Sequence, residues 1–448
     1  MGNSKAFMSV PRQEAGHRPK HERTQDFSEV EQTLSESERK LQASRCMDCG
    51  VPFCHWACQL GNKQPEWQDA VYRGDWKEAY ELLSATNDFP EFTGRICPAL
   101  CEMSCILNHC IDAPVTVREN ECSIIEKAFS EGYVQPKSYK KNGKKVAVIG
   151  GGPAGLSAAV RLNAKGYEIT IFDMMNKPGG LVRYGIPNFK LDKFIIDRRM
   201  QIMEAEGIHF VTGTKIDYND LPKGYDAYVI STGTPQARDM KIPGRELNGV
   251  HFALEMLSQQ NRLLEGETFA KKELVSAKGK KVLVIGGGDT GSDCVGTCHR
   301  QGATEVTQIE IMPMPPEGHN PATPWPQWPQ ILKTTTSHEE GCIRRWNLTS
   351  NFFIDDGKGQ LKGVEVERVE WLPAEPGQRP KMELTGEKEI IDCDMVLLAL
   401  GFLKPEHPEY PANVFLAGDS KNGASLVVRA IASGRETAQA VDDYLKRN

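Results

Sequence analysis

Apolar and polar positions divide the chain into two regimes. Up to about residue 140 the apolar residues recur at helical spacing, and beyond it short apolar runs alternate with helical segments. Residues 145–149 (KVAVI) form a buried-strand pattern that runs into Gly150-x-Gly152-x-x-Gly155, a helical segment ending near Gly166, and a second strand over 168–172 that stops at Asp173. The construction recurs as 281–285 (KVLVI), Gly286-x-Gly288-x-x-Gly291, a helix to Gly302 and a strand over 306–310. Strand and helix patterns alternate to the C-terminus, which predicts an α/β architecture with parallel sheets. Upstream, Ser35 and Glu38 make a capping-box pattern for a helix that leads to Cys46. Residues 66–83 place Trp67, Ala70, Val71, Trp76, Ala79, Tyr80 and Leu83 at near-helical spacing, broken at Gly74, and these aromatics read as core. Residues 135–143 are a polar linker, and 319–328 (HNPATPWPQW) hold too much proline for a regular helix or a central strand.

The two glycine loops carry the chemistry of this alternating region. Glycines permit a tight turn and close backbone approach, the following helix N-terminus faces a pyrophosphate, and an acidic residue ending the next strand suits ribose hydroxyls. One such loop often marks only a turn. Two, each with a strand before and a helix after, predict two dinucleotide sites, one flavin and one nicotinamide, because hydride passes between them. A short strand over 413–417 then ends in Gly418-Asp419, followed by Gly423 and a helical run over 425–434. Alone, that is an ordinary strand-to-helix turn with an Asp cap. After two nucleotide loops it reads as the chain's return to the first domain, with Asp419 at the flavin's ribityl or phosphate part and a positive helix end at the ring.

Composition narrows the setting. A chain of 448 residues is long enough for about three domains. The net charge of −6 comes from intermixed acidic and basic residues, which argues against nucleic acid or an anionic membrane as the main partner. No apolar run approaches the ~20 residues of a membrane-crossing helix, and MGNSKAFMSV lacks the core of a secretory signal. Gly2 superficially suggests myristoylation, but Ala6 stands where Ser or Thr is wanted. The expectation is a soluble, cytoplasmic protein.

Thirteen cysteines would be unusual there, and nine of them precede residue 123. They form the runs Cys46-x2-Cys49-x4-Cys54-x3-Cys58 and Cys97-x3-Cys101-x3-Cys105-x4-Cys110, followed by Cys122. In a reducing compartment such density means metal ligands or redox groups rather than disulfides. Cys46-x2-Cys49 is compatible with zinc, whereas the x3 spacings are less typical of it, and a flavin next door favours iron–sulfur. Cys294, Cys298, Cys342 and Cys393 lack pairing spacings and read as structural.

The stretches RCMDCGVPFCHWAC, LGNKQPEW, NDFPEFTGRICPALCEMSC, VAVIGGGPAGLSAA, PGGLVRYGIP, VLVIGGGDTGSDCVGT, MVLLALGF and NVFLAGDS resemble the small (β) subunit of glutamate synthase and its relatives, among them the N-terminal half of dihydropyrimidine dehydrogenase. The resemblance covers nearly the whole chain. It implies a helical domain with two [4Fe-4S] clusters at 1–140, an FAD domain at 141–245 plus 395–448, and an NAD(P)H domain at 246–394, both nucleotide domains being Rossmann-like and of the glutathione-reductase type. Carried over residue by residue, Gly150, Gly152, Gly155, Asp173, Gly180, Leu181, Gly418 and Asp419 would hold FAD, and Gly286, Gly288 and Gly291 the nicotinamide cofactor. Cluster one would use Cys46, Cys49, Cys54 and Cys105. Cluster two would use Cys58, Cys97 and Cys101, with Glu121 as the choice for the fourth ligand, although Cys110 and Cys122 lie close by and have no counterpart in the family pattern. Gln59 stands where the family usually has proline.

NADH and NADPH stay open. Glu310 ends the strand where many NADPH-using relatives carry arginines, which favours free ribose hydroxyls, while Arg300 at the end of the preceding helix is the candidate for a 2′-phosphate. The implied activity is electron input: NAD(P)H reduces FAD, and the clusters pass electrons to a large (α) glutamate synthase subunit. No side-chain acid or base is assigned, since hydride transfer between stacked rings needs none. Two alternatives are a reductase serving another acceptor, such as ferredoxin or a pyrimidine, and a flavoprotein with a zinc-stabilised interaction module.

Overall fold

The computed structural model describes residues 3–372 and 380–447. The N-terminal region is helical. Ser35 caps the helix Glu36–Ala43 through the expected capping box with Glu38. The helices Gln64–Arg73 and Trp76–Thr86 are separated by Gly74, whose φ of 81° ends the first in the left-handed conformation that glycine adopts at least cost. Trp67, Val71, Trp76, Leu83 and Ile124 form the core between these helices and Val117–Ser130.

Two five-stranded parallel sheets follow. The strands are β1 (Lys145–Ile149), β2 (Glu168–Phe172), β3 (His209–Val211), β4 (Ala227–Ile230), β5 (Val250–Phe252), β6 (Lys281–Ile285), β7 (Glu305–Glu310), β8 (Ile343–Trp346), β9 (Leu348–Asp355), β10 (Leu361–Leu372), β11 (Lys381–Asp392), β12 (Met395–Leu398) and β13 (Val414–Leu416). The first sheet runs β13-β4-β1-β2-β3 and the second β5-β12-β6-β7-β8, with β9–β11 as a separate antiparallel sheet. β1 and β6 are central in their sheets and read as unbroken apolar runs because both faces are covered.

One expected boundary moves. β12 begins at Met395, where the sequence puts the return to the first domain, yet it pairs in parallel with β5 and β6 inside the second sheet. The return comes at β13, which pairs with β4. Beyond it the helix Val427–Arg447 lies across the helix Pro153–Ala164 so closely that a Cβ on Gly434 would stand 2.2 Å from the Ala154 carbonyl oxygen.

The helical domain is built onto the first sheet. Phe89 and Phe92, wholly buried, join that domain's core with Leu60 and Ile96 packed against it. Each phenylalanine contributes about 1.5–3 kcal/mol by burial. Around them Asp88 pairs with Arg161 and Arg435, and the buried Glu91 pairs with Arg199.

Candidate functional site

Eight of the residues expected to hold FAD gather around the N-terminus of the helix Pro153–Ala164. A Cβ on Gly155 would lie 2.1 Å from the Gly150 carbonyl oxygen and 2.5 Å from Ser231 Oγ, so only glycine lets the helix start this close to β1. Asp173, buried at the end of β2, accepts from the Gly151 N–H at 2.8 Å and the Met175 N–H at 2.8 Å, while burial raises its carboxyl pKa. The Gly179 N–H donates to the Gly151 carbonyl at 2.8 Å. That bond brings Gly180 against Gly152, and Leu181 opens the short helix Leu181–Tyr184, 43% exposed. On the other side a Cβ on Gly418 would meet Ala154 Cβ at 2.5 Å, and Asp419 accepts from Ser425 Oγ at 2.6 Å. The N–H groups that point out of a helix start, a notch kept open by glycines and two flanking carboxylates make a donor set that fits a flavin dinucleotide.

The second loop repeats the first. A Cβ on Gly291 would lie 2.3 Å from the Gly286 carbonyl oxygen, Gly288 caps the helix Asp289–Gln301, and Glu310 accepts from the Gly287 N–H as Asp173 does from Gly151. Arg300 does not join this site, which corrects the expectation of a 2′-phosphate contact. It sits at the opposite end of that helix, roughly 16 Å from the loop at the helical rise. Its guanidinium, fully buried, pairs with Glu340 at 2.6 Å and lies 3.8 Å from the centre of the Phe189 ring. Glu340 also takes Arg23 Nε at 2.8 Å, so Arg300 ties together the N-terminal arm and both nucleotide domains. Sequence distance hides this: Arg300 and Glu340 are 40 residues apart.

The cysteines fall into two groups. Cys46, Cys49, Cys54 and Cys105 line one cavity, with Cys101 also in its wall. Burial, with smaller contributions from nearby Cys105 and Cys49, raises the Cys46 thiol to about 12. Cys101 is raised by burial and then by Cys58, Cys97, Glu102 and Glu121. Cys58 and Cys97 are each raised by burial, with the Glu121 charge adding to it. Cys105 of the second run thus lies with the first run's Cys46, Cys49 and Cys54, and Cys58 of the first run with Cys97 and Cys101 of the second. Backbone N–H groups of Asp48, His55, Leu60, Asn62 and Ala99 reach the thiols, the kind of contact that sets cluster potentials.

Glu121 is buried, and its Oε1 accepts from Asn87 at 3.0 Å and from the Thr93 hydroxyl. Burial raises its pKa to about 7 against those two bonds and Arg118. Cys110 is exposed, and Cys122 is raised to about 11 by burial with Arg95 and Glu126 as its nearest charges. Among the described residues no three His, Cys, Asp or Glu side chains converge as tightly as a single ion requires. Cavity-lining thiols fit the wider body of a cluster.

One contact has no sequence signal. Trp325, from the proline-rich segment of the second nucleotide domain, lies 4.7 Å from Phe53 and 4.6 Å from His109, ring centre to ring centre. Phe53 adjoins Cys54, so this segment packs beside the first thiol group. No helix among the described residues is long and apolar enough to cross a membrane.

Comparison with known proteins follows the same partition. Residues 23–133 match the family described as dihydropyrimidine dehydrogenase domain II, 4Fe-4S cluster, and residues 144–323 match the pyridine nucleotide-disulphide oxidoreductase family. The first match removes the basis for the zinc alternative. The chain is 43% identical to the small chain of the NADPH glutamate synthase of Mycobacterium tuberculosis, over 96% of this chain and 93% of that one. It is 39% identical to the NADH glutamate synthase of Schizosaccharomyces pombe over 98% of this chain but only 22% of that longer protein. In fold, FprA, an oxidoreductase of M. tuberculosis, matches 68% of this chain and 85% of its own with a TM-score of 0.55 at 16% identity. The chain belongs to the glutamate synthase small-chain family.

Proposed function

We propose that this chain is the electron-input subunit of glutamate synthase, taking hydride from NAD(P)H at the Gly286–Gly291 loop and delivering electrons through two [4Fe-4S] clusters to a large subunit. FAD, at the Gly150–Gly155 loop, supplies the change from two-electron to one-electron chemistry when bound. The assembly is cytoplasmic and engages neither membrane nor nucleic acid.

The observation that carries this reading is spatial order. Leu60 and Ile96, beside Cys58 and Cys97, pack into the flavin-domain core, so cluster two, completed by Cys101 and Glu121, would stand on the flavin side. The segments bearing Cys49, Cys54 and Cys105 carry Val51, Trp56 and Ile111, which are 72%, 65% and 48% exposed. Exposed aromatic and aliphatic groups of this size suit burial under a protein partner. Cluster one would therefore stand at the exit, with the large subunit covering this face. The S. pombe relative supports a protein acceptor, since its matching segment is one part of a far longer chain.

The chain's own residues bind, orient and insulate. The glycine loops would hold both cofactors at helix N-termini, the carboxylates of Asp173 and Glu310 would take their ribose hydroxyls, and the partly buried thiols would ligate the clusters. Anaerobic purification should give about eight irons per flavin, the content of two [4Fe-4S] clusters. The isolated chain should also oxidise NAD(P)H with ferricyanide. Stoichiometric zinc without acid-labile sulfide would overturn the reading.

Both nicotinamide cofactors enter, and Glu310 limits NADPH, because its carboxylate occupies the place where a 2′-phosphate would need a cation. Glu310→Arg should raise the NADPH-to-NADH ratio of kcat/KM by about tenfold, equivalent to ~1.4 kcal/mol. No change in that ratio would remove Glu310 from the ribose.

A further inference from the structure

The nicotinamide loop is held from behind by a run of buried polar side chains. Gln308, in the middle of β7, donates from Nε2 to the Gly286 carbonyl at 2.8 Å. A carbonyl only accepts, so the amide must present its nitrogen there and its oxygen to the other side. That oxygen lies 2.9 Å from His338 Nε2. It too only accepts, which puts the imidazole proton on Nε2 and leaves Nδ1 as an acceptor.

Nδ1 receives the Thr335 N–H at 3.2 Å, capping the helix Thr336–Glu339. Thr335 Oγ1 lies 2.6 Å from Ser292 Oγ, and the Ser292 N–H donates to the Gly288 carbonyl at 3.1 Å. The circuit leaves the loop at Gly286 and returns to it at Gly288. Gln308, His338 and Ser292 are 3%, 9% and 2% exposed. The segment's other end is anchored as well, since Glu340 pairs with Arg300 and Arg23.

We propose that His338 is a positioning residue for the nicotinamide site: acting through Gln308, it fixes the Gly286 carbonyl and so keeps the loop's N–H groups turned toward the cofactor pyrophosphate. The proposal rests on reading the second glycine loop as the nicotinamide site. Its chemistry is specific to one ring nitrogen. The bond that matters is Nε2–H to Gln308, which reaches the Gly286 carbonyl through a single side chain, whereas Nδ1 caps its own segment and touches the loop only indirectly, through Thr335 and Ser292.

Two isosteric substitutions separate those roles. His338→Gln keeps an N–H donor near the Nε2 position and loses the cap acceptor, whereas His338→Asn keeps an acceptor near Nδ1 and loses the donor. The measurement is the Kd for NADPH and NADH by nucleotide fluorescence on the full chain, with KM and kcat for ferricyanide reduction beside it. His338→Asn should raise Kd and KM about tenfold, the ratio one buried hydrogen bond is worth, with kcat at saturation changed less than about twofold. His338→Gln should bind within about twofold of the parent, a spread inside that of equivalent hydrogen bonds. The reverse order, or equal loss in both, would assign His338 to the cap alone and overturn the proposal, as would unchanged binding in His338→Asn. Should His338→Asn fail to fold, Gln308→Glu carries the test: it sets a second acceptor against the Gly286 carbonyl and should weaken Kd to a similar degree. Unchanged binding in that variant counts against the proposal. Gly291→Ala is the control for the underlying reading. If it leaves Kd unchanged, the loop is not the nicotinamide site; if it abolishes binding, the His338 result stands by itself.

Discussion

Cys49→Ser is expected to leave NAD(P)H oxidation by ferricyanide intact while cutting glutamate formation with the large subunit on the order of 100-fold, about 2.7 kcal/mol in the overall rate. Cys49 lines the cavity shared by Cys46, Cys54 and Cys105, and its segment reaches the exposed face at Val51. Serine offers a hard, protonated oxygen where the cluster needs a thiolate, so the cluster is lost or degraded. Iron should fall from about eight to about four per flavin, one [4Fe-4S] cluster being gone. Because ligands drawn from separate segments would tie the helical domain together, melting of that domain should shift downward as well. The flavin loop, built on β1 and the helix Pro153–Ala164, contains none of these ligands and should keep its cofactor. Parallel loss of flavin and iron would show that the two domains do not fold separately enough for electron input to be divided in this way.

Gly155→Ala is expected to have the opposite pattern. Its added methyl would stand 2.1 Å from the Gly150 carbonyl oxygen and 2.5 Å from Ser231 Oγ, and neither neighbour can retreat. Ser231 is tied to the Ile149 and Gly150 carbonyls at 3.1 Å and 2.9 Å, and the Gly150 carbonyl belongs to the loop itself. The helix start must move away from β1, which withdraws the N–H groups from the pyrophosphate. The purified variant should lose its flavin absorbance and fall on the order of 100-fold in ferricyanide reduction, about 2.7 kcal/mol. Its cluster absorbance should persist. Retention of stoichiometric flavin would contradict the assignment of this loop.

Local pattern carried much of this structure. The strands β1, β2 and β6, the capping box at Ser35, the break at Gly74 and both glycine loops lie where periodicity and turn chemistry put them. These features depend on neighbours within a few residues. What escaped depends on partners far along the chain. The MVLL run of β12 is apolar on both faces and carries no mark of which sheet it enters, so only its pairing with β5 and β6 places it in the second domain. Arg300 looked like a phosphate ligand because Glu340 and Phe189 cannot be foreseen as its surroundings. The stacking of Trp325 on Phe53 and His109 and the Gln308–His338 pair are similarly non-local. The two proposed ligand groups rest on family resemblance. Cysteine spacing predicts clusters, but it does not say which run lends a ligand to the other.

Electron input without synthesis is the central claim, and one assay reaches it directly: glutamate release from glutamine and 2-oxoglutarate, driven by NADPH or NADH, with this chain alone, with the large subunit added, and with Cys49→Ser in place of the parent. The account predicts no glutamate from the isolated chain, sustained formation from the reconstituted pair, and loss of that formation in the variant while ferricyanide reduction continues. Glutamate made by this chain alone, or none made by the reconstituted parent pair, would contradict it.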